Sequence, residues 1–372
     1  MPTRDQHQPA RRLLVVMPTW FGDILMATPT LRALRTLWPD AHLAVLVREN
    51  LTDLVEGLSA IDQILPAPAK GQGGSAFRLA KRLSRMDFDT AVLLPNSFRS
   101  AALVAMAGIP RRVGYDRDGR GVLLTDRLIP RRESRVFLPV PTLDYYLSLA
   151  RYLGAPSQDG DHAMHVATRP EDDARAAELL APAKGRPVVL FNPGAQKPAK
   201  RWPAERFAQL AARCTEERGC AVAVTGSPAE RDVLARVTGA ATTAVIDLPK
   251  AGMNVRLLKS VARHAAVMVT NDTGPRHLAA AVGTPLVTLF GPTTPEWTHI
   301  GFDHERQVVA RDAGQPDSIK QITVDEVFRR VEELLALGPD APASAPAEPD
   351  ASAPGSGSAP RSAPDPAARA QP

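Results

Sequence analysis

Short runs of apolar residues alternate along most of the chain with longer segments whose apolar residues recur at helical spacing. In the first half, strand-like runs occur at 13–18, 41–48, 61–66, 89–95 and 111–115. Helical segments are predicted at 24–37, 50–57, 76–85, 98–107 and 141–153. Because nearly every position of the runs is apolar and a helix follows each one, the pattern predicts a parallel sheet covered on both faces, a doubly wound α/β fold.

The same alternation starts again after a polar, proline-containing stretch. Strand-like runs occur at 187–192, 220–226, 243–248, 265–270 and 286–292. Helical segments are predicted at 203–217, 229–237, 254–263, 277–282 and 324–337. The repetition predicts two Rossmann-like domains in one chain, which agrees with the length of 372 residues.

Changes in composition give the expected boundaries. They are a flexible N-terminus at 1–12, an N-terminal domain at 13–160, a linker at 161–186, a C-terminal domain at 187–322, a C-terminal helix at 323–338 and a tail at 339–372. The tail is rich in Ala, Pro and Ser and has no Leu, Ile, Val or Phe. It cannot bury enough apolar surface to order itself, so we predict disorder there.

The chain has no apolar run near the roughly 18 residues that a membrane span requires. Its N-terminus is polar and leads directly into a strand, unlike a secretory signal. Only two cysteines occur, Cys214 and Cys220, which form neither a disulfide framework nor a metal-ligand pattern. These features predict a cytoplasmic protein.

Basic residues exceed acidic ones, which gives a formal net charge of +5. Much of the excess lies between Arg99 and Arg135. One interpretation is an ordinary solvated surface, and the other is a binding surface for an anionic glycolipid, a membrane or a nucleic acid. No RNA- or DNA-binding motif accompanies the arginines, which disfavours nucleic acid.

Two short strings resemble binding motifs but lack the structural context. Residues 71–76 fit G-x-G-x-x-A, yet Pro66 and Pro68 separate them from the preceding strand. Asp116 and Asp118 form a D-x-D pair of a kind that binds a metal ion in some enzymes, but they lie in a polar, arginine-rich loop. We therefore predict no dinucleotide fingerprint and no metal site.

Three strand-to-helix turns contain most of the candidate chemistry. The turn at 271–277 (NDTGPRH) follows an apolar strand and opens an apolar helix, so its backbone N–H groups suit an anion such as a phosphate. The turn at 19–23 (TWFGD) follows the first strand, and the turn at 193–203 (PGAQKPAKRWP) follows the first strand of the second domain.

In this order, and together with NSFRS at 96–100 and GPTTP at 291–295, these motifs resemble glycosyltransferase family 9, the heptosyltransferases of lipopolysaccharide synthesis. The resemblance covers 12–337, and the PAKRWP and NSFRS forms are most similar to the heptosyltransferase II branch. It implies a GT-B fold, in which two Rossmann-like domains face a cleft. It also implies inverting, metal-independent transfer of L-glycero-D-manno-heptose from ADP-heptose to the inner core on lipid A, with no cofactor.

The resemblance implies that Asp23 is the catalytic base, since a carboxylate there can accept the proton of an attacking sugar hydroxyl. The structural alternative is an N-cap, because Asp is favoured before a helix. Lys200 is expected to neutralise the charge that develops on the leaving diphosphate. Lys197 and Arg201 are neighbours that could take the same role.

The expected donor-binding residues are Gln196, Lys200, Glu230, Met253, Asp272, Thr273, Gly274 and His277. Glu230 would bind ribose hydroxyls, although an acid in the first turn of a helix is also favoured by the helix dipole. Met253 would lie against the purine ring, or it simply fills the core. Asp272 would bind the donor sugar or Lys200, while the N–H groups of Thr273 and Gly274 hold phosphate.

Arg99 and, on a flexible loop, Arg120 are the expected acceptor-binding residues, because a lipid A-linked inner core is anionic. The expected partners are thus a nucleotide-sugar donor and this glycolipid, without nucleic acid. The lipid-linked acceptor that the resemblance implies adds peripheral contact at the inner face of the inner membrane as a further option. Two alternatives stay open: transfer of a different nucleotide sugar, and a non-catalytic protein that binds nucleotide sugars or anionic polymers.

Overall fold

The computed structural model describes residues 8–68, 75–133, 136–138, 140–156 and 162–338. Residues 1–7, most of the glycine-rich string at 71–76 and the tail expected at 339–372 lie outside the described residues. Two six-stranded parallel sheets dominate the fold. The strands of the first are β1 (Arg12–Val16), β2 (His42–Arg48), β3 (Gln63–Ala67), β4 (Thr90–Leu93), β5 (Arg111–Tyr115) and β6 (Asp126–Leu128), and a small antiparallel ribbon consists of β7 (Arg132–Glu133) and β8 (Val136–Phe137).

The second sheet repeats the first. Its strands are β9 (Val188–Asn192), β10 (Ala221–Val224), β11 (Val245–Asp247), β12 (Val267–Asn271), β13 (Leu286–Phe290) and β14 (Glu305–Val309). The strand orders are β3-β2-β1-β4-β5-β6 and β11-β10-β9-β12-β13-β14, so both sheets have the doubly wound Rossmann order. Val15 pairs with Val45 on one side and with Val92 on the other, which places β1 at the centre. The predicted fold class is confirmed.

Helices cover both sheets. They are α1 (Phe21–Met26), α2 (Thr28–Leu37), α3 (Ser75–Leu83), α4 (Phe98–Met106), α5 (Thr142–Tyr152), α6 (Pro170–Leu180), α7 (Ala204–Arg218), α8 (Arg231–Ala240), α9 (Val255–Arg263), α10 (Gly274–Val282) and α11 (Val324–Leu335). Where a helix was predicted at 50–57, the structure has a 3-10 helix, Glu49–Leu54. In the part of the chain that the model describes, no helix combines the length and apolarity needed to cross a bilayer.

The helix predicted over 24–37 is two helices, and the break has a local cause. Pro29 has no N–H to donate to the carbonyl of Leu25, four residues earlier. The hydroxyl of Thr28 donates to that carbonyl instead, at 2.7 Å. Helix α1 therefore ends at Met26 and α2 begins at Thr28.

The sequence pattern missed strands β6 and β14. Both lie at the edge of their sheets and have polar sequences, DRL and ERQVV. An edge strand pairs on one side only and is less buried, so it lacks the continuous apolar run that identified the central strands.

The connection between the domains contains structure of its own. Helix α6 lies inside the segment expected to be a linker and packs against α9 of the second domain. Its buried Asp172 forms an ion pair with Arg256 of α9 at 3.3 Å. Residues just before β1 are also held, because Arg111 donates to the carbonyl of Gln8 at 3.0 Å. The flexible N-terminus expected at 1–12 therefore does not extend over its last residues.

Candidate active site

The turns at 19–23, 193–203 and 271–277 and the NSFRS segment follow the central strands of the two sheets. The loops after β1 and β4 flank the point where the chain reverses its direction of winding in the first sheet, and the loops after β9 and β12 do so in the second. A doubly wound sheet opens a crevice at this point, beyond the carboxyl ends of its strands.

The N-terminal ends of α1 and α10 meet between the domains, and two glycines permit this contact. A Cβ on Gly22 would lie 2.6 Å from Cδ2 of His277, and a Cβ on Gly274 would lie 2.7 Å from Cδ1 of Phe21. Neither position has room for a side chain. The structure thus joins the TWFGD turn of the first domain and the NDTGPRH turn of the second into one site.

The Asp23 carboxylate lies in the first turn of α1. The N-cap of α1 is Trp20, which makes no side-chain capping bond, so the interpretation of Asp23 as the N-cap is wrong. Among the described residues no group donates a hydrogen bond to the Asp23 carboxylate. Burial raises its pKa to about 6, so it is ionised at neutral pH and is a stronger base than an ordinary aspartate.

Lys200 and Asp272 form an ion pair on the donor side. The Nζ atom of Lys200 lies 2.8 Å from Oδ2 of Asp272 and 3.2 Å from its carbonyl oxygen. Burial disfavours an ionised Asp272, but the Lys200 and Arg276 cations and the hydroxyl of Thr293 outweigh it and hold the pKa of Asp272 below its ordinary value. The Lys200 side chain remains 22% exposed and can therefore also contact a ligand.

Arg276, to which the sequence analysis assigned no role, forms an ion pair with Asp272. Its fully buried guanidinium donates to both carboxylate oxygens of Glu305, at 2.6 and 3.0 Å. It also donates to the carbonyl of Thr298 at 2.8 Å and, more weakly, to Asp272 at 3.4 Å. The available signal was the spacing of four residues from Asp272, which lies just before the N-cap of α10. Burial of both charges could not be inferred from that spacing.

Asn271 was also given no role, and it connects the two donor-side turns. Its buried side chain accepts a hydrogen bond from the N–H of Trp202 at 3.1 Å. It donates to the carbonyls of Pro193 and Gly194 at 3.0 and 3.1 Å. The loop that contains Lys200 is thereby held against the start of α10.

The start of α10 presents free backbone donors. Thr273 is the N-cap, but its hydroxyl donates to the carbonyl of Asn271 at 3.2 Å and accepts from Asn192 at 3.3 Å rather than capping the helix. Within the described ranges, the N–H groups of Thr273 and Gly274 have no acceptor. Such groups at a helix N-terminus suit a phosphate oxygen.

His277 is a neutral imidazole at physiological pH. It is 4% exposed, and its Nδ1 atom has no hydrogen-bond partner among the described residues. Burial, followed by the neighbouring Arg276 cation, lowers its pKa to about 3. A neutral ring can accept one hydrogen bond and donate another, so it suits sugar hydroxyls better than it suits charge neutralisation.

We expect the protein to lose stability in mild acid because of His277. Its folded pKa of about 3 lies below its ordinary value of 6.5, so below pH 6.5 the unfolded state binds a proton that the folded state does not. The neutral His277 therefore contributes its full stabilisation above pH 6.5. As the pH falls from 6.5 toward 3, the free energy of unfolding decreases by up to about 1.4 kcal/mol per pH unit. Between pH 7 and 5, wild type should lose about 2 kcal/mol more unfolding free energy than His277→Asn in denaturant titrations.

The control is His264→Asn, which replaces an exposed histidine at the end of α9. This variant should show the same pH dependence as wild type. Equal pH dependence in wild type and His277→Asn would contradict the assignment of a buried, neutral His277.

The remaining expected donor residues differ in their surroundings. The Glu230 carboxylate accepts from the N–H and hydroxyl of Ser227, at 2.8 and 2.7 Å, in a capping box. It also lies over Gly194, where a Cβ would be 2.1 Å away. Met253 is half-buried and lies 3.8 Å from the hydroxyl of Thr225, whereas Gln196 is exposed. Glu230 thus has a structural role and also borders the Lys200 loop.

A cavity of about 460 Å³ lies in the first domain beside Asp23. Its lining includes Trp20, Asn96, Arg99 and Tyr146. Arg99 is exposed, so its guanidinium is available to a ligand at this cavity. The NSFRS motif and the TWFGD turn therefore border the same space.

Arg120 is not on a flexible loop, and that expectation is wrong. Its side chain is fully buried, and burial lowers its pKa to about 10. It donates to the carbonyls of Tyr115, at 2.8 Å, and Pro95, and to Oδ1 of Asn96 at 3.3 Å. It supports the wall of the cavity and offers no exposed group to an acceptor.

A second cavity, of about 900 Å³, adjoins the first and also includes Asp23 and Tyr146. Three arginines of the basic segment line it: Arg117, Arg127 and Arg131. Others in that segment are structural, since Arg111 is buried against Asp126 at 3.2 Å. The segment is thus neither a uniformly solvated surface nor a uniform binding surface.

Among the described residues, no group of three or more His, Cys, Asp or Glu side chains could hold a metal ion. Asp116 lies against Gly121, where a Cβ would be 2.4 Å away, and 3.9 Å from Arg127.

Two Rossmann-like domains whose crevices meet at one cleft define the GT-B class of glycosyltransferases. Within that class, the chain belongs to glycosyltransferase family 9 (heptosyltransferase), whose model matches residues 76–326. It is 30% identical to the lipopolysaccharide heptosyltransferase 2 of Escherichia coli K12, over 88% of this chain and 98% of that protein. It is also 30% identical to the lipopolysaccharide heptosyltransferase 2 of Salmonella typhimurium, over 88% of this chain and 98% of that protein.

Solved structures agree with this assignment. The E. coli ADP-heptose lipopolysaccharide heptosyltransferase II has a TM-score of 0.75 and 25% identity, with 87% of this chain and 98% of that chain covered. A family 9 glycosyltransferase of Veillonella parvula, at 22% identity, shares the fold with a TM-score of 0.78, over 89% of this chain and 99% of that chain. The predicted family resemblance is confirmed.

Proposed function

We propose that this protein transfers L-glycero-D-manno-heptose from ADP-heptose to the lipopolysaccharide inner core, with inversion at the anomeric carbon and without a metal ion. The observation that carries the proposal is the position of Asp23. This carboxylate lies in a cavity of the first domain, on a helix whose N-terminal end meets the phosphate-suited N-terminus of α10. The relatives named for heptose transfer support the choice of donor sugar.

In the proposed reaction, Asp23 takes the proton of an acceptor hydroxyl. The resulting oxygen forms a bond to the anomeric carbon, and the bond from that carbon to ADP breaks on the opposite face. This single displacement inverts the configuration. Lys200 and the N–H groups of Thr273 and Gly274 stabilise the negative charge of the departing diphosphate. These groups take the role that a divalent cation has in other enzymes.

On the donor side, we place the adenosine along the loops after β9, β10 and β11, where Gln196, Glu230 and Met253 lie. Asp272 orients Lys200, and neutral His277 accepts from or donates to the heptose or phosphate. A solved heptosyltransferase with ADP bound, at 20% identity and a TM-score of 0.63, shares this fold.

We place the acceptor in the first-domain cavities, with its anionic groups near Arg99 and the arginines of the second cavity. The lipid-linked acceptor implies contact with the inner face of the inner membrane. The two thiols, Cys214 and Cys220, are free, which fits a reducing compartment on that side.

The direct test is incubation of the protein with ADP-heptose and a truncated lipopolysaccharide acceptor, followed by mass measurement of the product. We expect one added heptose, with α-configuration in the product from a β-linked donor. Activity should survive EDTA. Transfer from a different nucleotide sugar only would contradict the proposed donor. Loss of activity with the chelator, restored by Mg²⁺ or Mn²⁺, would contradict the metal-free mechanism.

Neutralising Arg99 should raise the KM for the acceptor by at least about tenfold, because a charge-assisted hydrogen bond to phosphate contributes about 1.5–3 kcal/mol. The KM for the donor should not change, and the dependence of kcat/KM on salt should weaken. Arg311→Ala, which removes an exposed arginine of the second domain, is the matched control. If Arg99→Ala leaves the acceptor kinetics unchanged at low and high salt, Arg99 is an ordinary solvated residue and does not bind the acceptor.

A further inference from the structure

The outer face of α3 is basic and aromatic. The helix buries Ala80 and Leu83 in the core of the first domain and turns Phe77, Lys81 and Arg82 outward. Phe77 is 70% exposed, which is high for a phenylalanine. Within the described residues, Lys81 and Arg82 have no acidic partner. Among the described residues, no contact therefore accounts for this combination of an exposed ring with Lys81 and Arg82.

This face lies beside the first-domain cavity. Ala76 and Leu79 of α3 line that cavity, and α3 packs against α4. At the start of α4, Phe98 is 51% exposed next to the lining residue Arg99. Trp20, which also lines the cavity, is 57% exposed.

The exposed residues share a chemistry that matches one kind of surface. Aromatic rings on the polar–apolar boundary insert among lipid headgroups, and lysine and arginine bind anionic headgroups. A basic amphipathic helix is typical of membrane-surface binding. A protein partner with acidic side chains would satisfy the cations but would not require three separate exposed rings beside a cavity.

We propose that Phe77, Lys81 and Arg82 of α3, together with Phe98 and Trp20, form a docking face for an anionic phospholipid bilayer. Docking would bring the cavity mouth to the membrane surface, where a lipid-linked acceptor presents its sugars. This last step rests on the proposed function, whereas the binding of the bilayer does not.

The first test measures flotation of the full chain with vesicles of phosphatidylcholine, pure or with a third of phosphatidylglycerol. Wild type should bind only the anionic vesicles. Each basic residue near such a surface contributes about a fivefold gain in affinity, so Lys81→Gln/Arg82→Gln should bind about 25-fold more weakly at low salt. The matched control, Arg311→Gln/Arg329→Gln, removes two exposed arginines of the second domain and should bind like wild type.

A second variant separates the aromatic contribution. Phe77→Ser should weaken binding at low and at high salt, because ring insertion is not screened, whereas the effect of the charge variant should fade as salt rises. Val309→Ser, at another exposed apolar position, should have no effect. Equal binding of wild type, Lys81→Gln/Arg82→Gln and Phe77→Ser would overturn the proposal, as would equal losses in the control variants.

Kinetics distinguish the bilayer from the anionic groups of the acceptor itself. Lys81→Gln/Arg82→Gln should keep wild-type kcat/KM with a delipidated, water-soluble acceptor and lose it with acceptor embedded in vesicles. An equal loss with both acceptors would show that the face binds the acceptor sugar chain, and would overturn the docking proposal. If the protein transfers no heptose, the vesicle measurements still decide the docking proposal independently.

Discussion

An Asp23→Asn variant should lose about 10²- to 10⁴-fold in kcat, while its affinity for the nucleotide-sugar donor stays within a few-fold. Asparagine keeps the shape of the side chain but cannot take the proton of the acceptor hydroxyl. The substitution removes no hydrogen bond among the described residues, because Trp20 is the N-cap of α1. A rate loss therefore reports the chemistry, provided that thermal unfolding is unchanged. Single-turnover transfer and donor calorimetry measure the two effects.

Asp118→Asn is the matched control for Asp23→Asn. Asp118 lines the same cavity, and its φ of 54° is a conformation that asparagine adopts readily. We expect this variant to keep its rate within a few-fold. Near wild-type turnover in Asp23→Asn, or an equal loss in Asp118→Asn, would show that Asp23 is not the base.

The pH profile gives an independent check of the same role. Asp23 must be ionised to act as a base, and burial places its pKa at about 6. For wild type, kcat/KM should therefore be constant above about pH 7 and fall about tenfold per unit below pH 6. The residual activity of Asp23→Asn should lack this acidic limb.

Lys200→Met should lower kcat by about 10²- to 10³-fold, the usual cost of removing one group that stabilises charge in a transition state. Methionine keeps much of the apolar stem but removes the ammonium that lies 2.8 Å from Asp272. Asp272 then remains buried with the hydrogen bond from the Thr293 hydroxyl and the weaker contact to Arg276 but without the Lys200 cation, so a lower melting temperature is also expected. Rates should be measured well below that temperature, with donor binding followed separately.

Lys197 and Arg201 are the alternatives that the sequence left open, and Lys197→Met is the matched control. Lys197 is exposed, whereas the Arg201 guanidinium donates to the carbonyl of Ala195 at 2.8 Å. We expect Lys197→Met to transfer at nearly the wild-type rate. If Lys197→Met lowers the transfer rate as much as Lys200→Met does, we would assign the diphosphate contact to Lys197.

The sequence alone determined the fold class, since its central strands are apolar at nearly every position and a buried parallel sheet requires that pattern. It also located the turns at 19–23, 193–203 and 271–277, because glycine, proline and polar residues at strand-to-helix junctions have local causes. The apolar pattern did not identify edge strands such as β6, because a partly buried strand keeps polar residues and has no continuous apolar run.

Tertiary structure alone decided how the site residues are arranged. Gly22 and His277 are far apart in the sequence, and no local pattern indicates that one must lack a side chain to accommodate the other. Arg99 and Arg120 lie in the same arginine-rich segment of the sequence, yet Arg120 is fully buried and Arg99 is exposed. Burial, which also sets the pKa of Asp23, depends on every element that packs around a residue. It is a property of the folded chain, whereas periodicity and turn chemistry are properties of neighbouring residues.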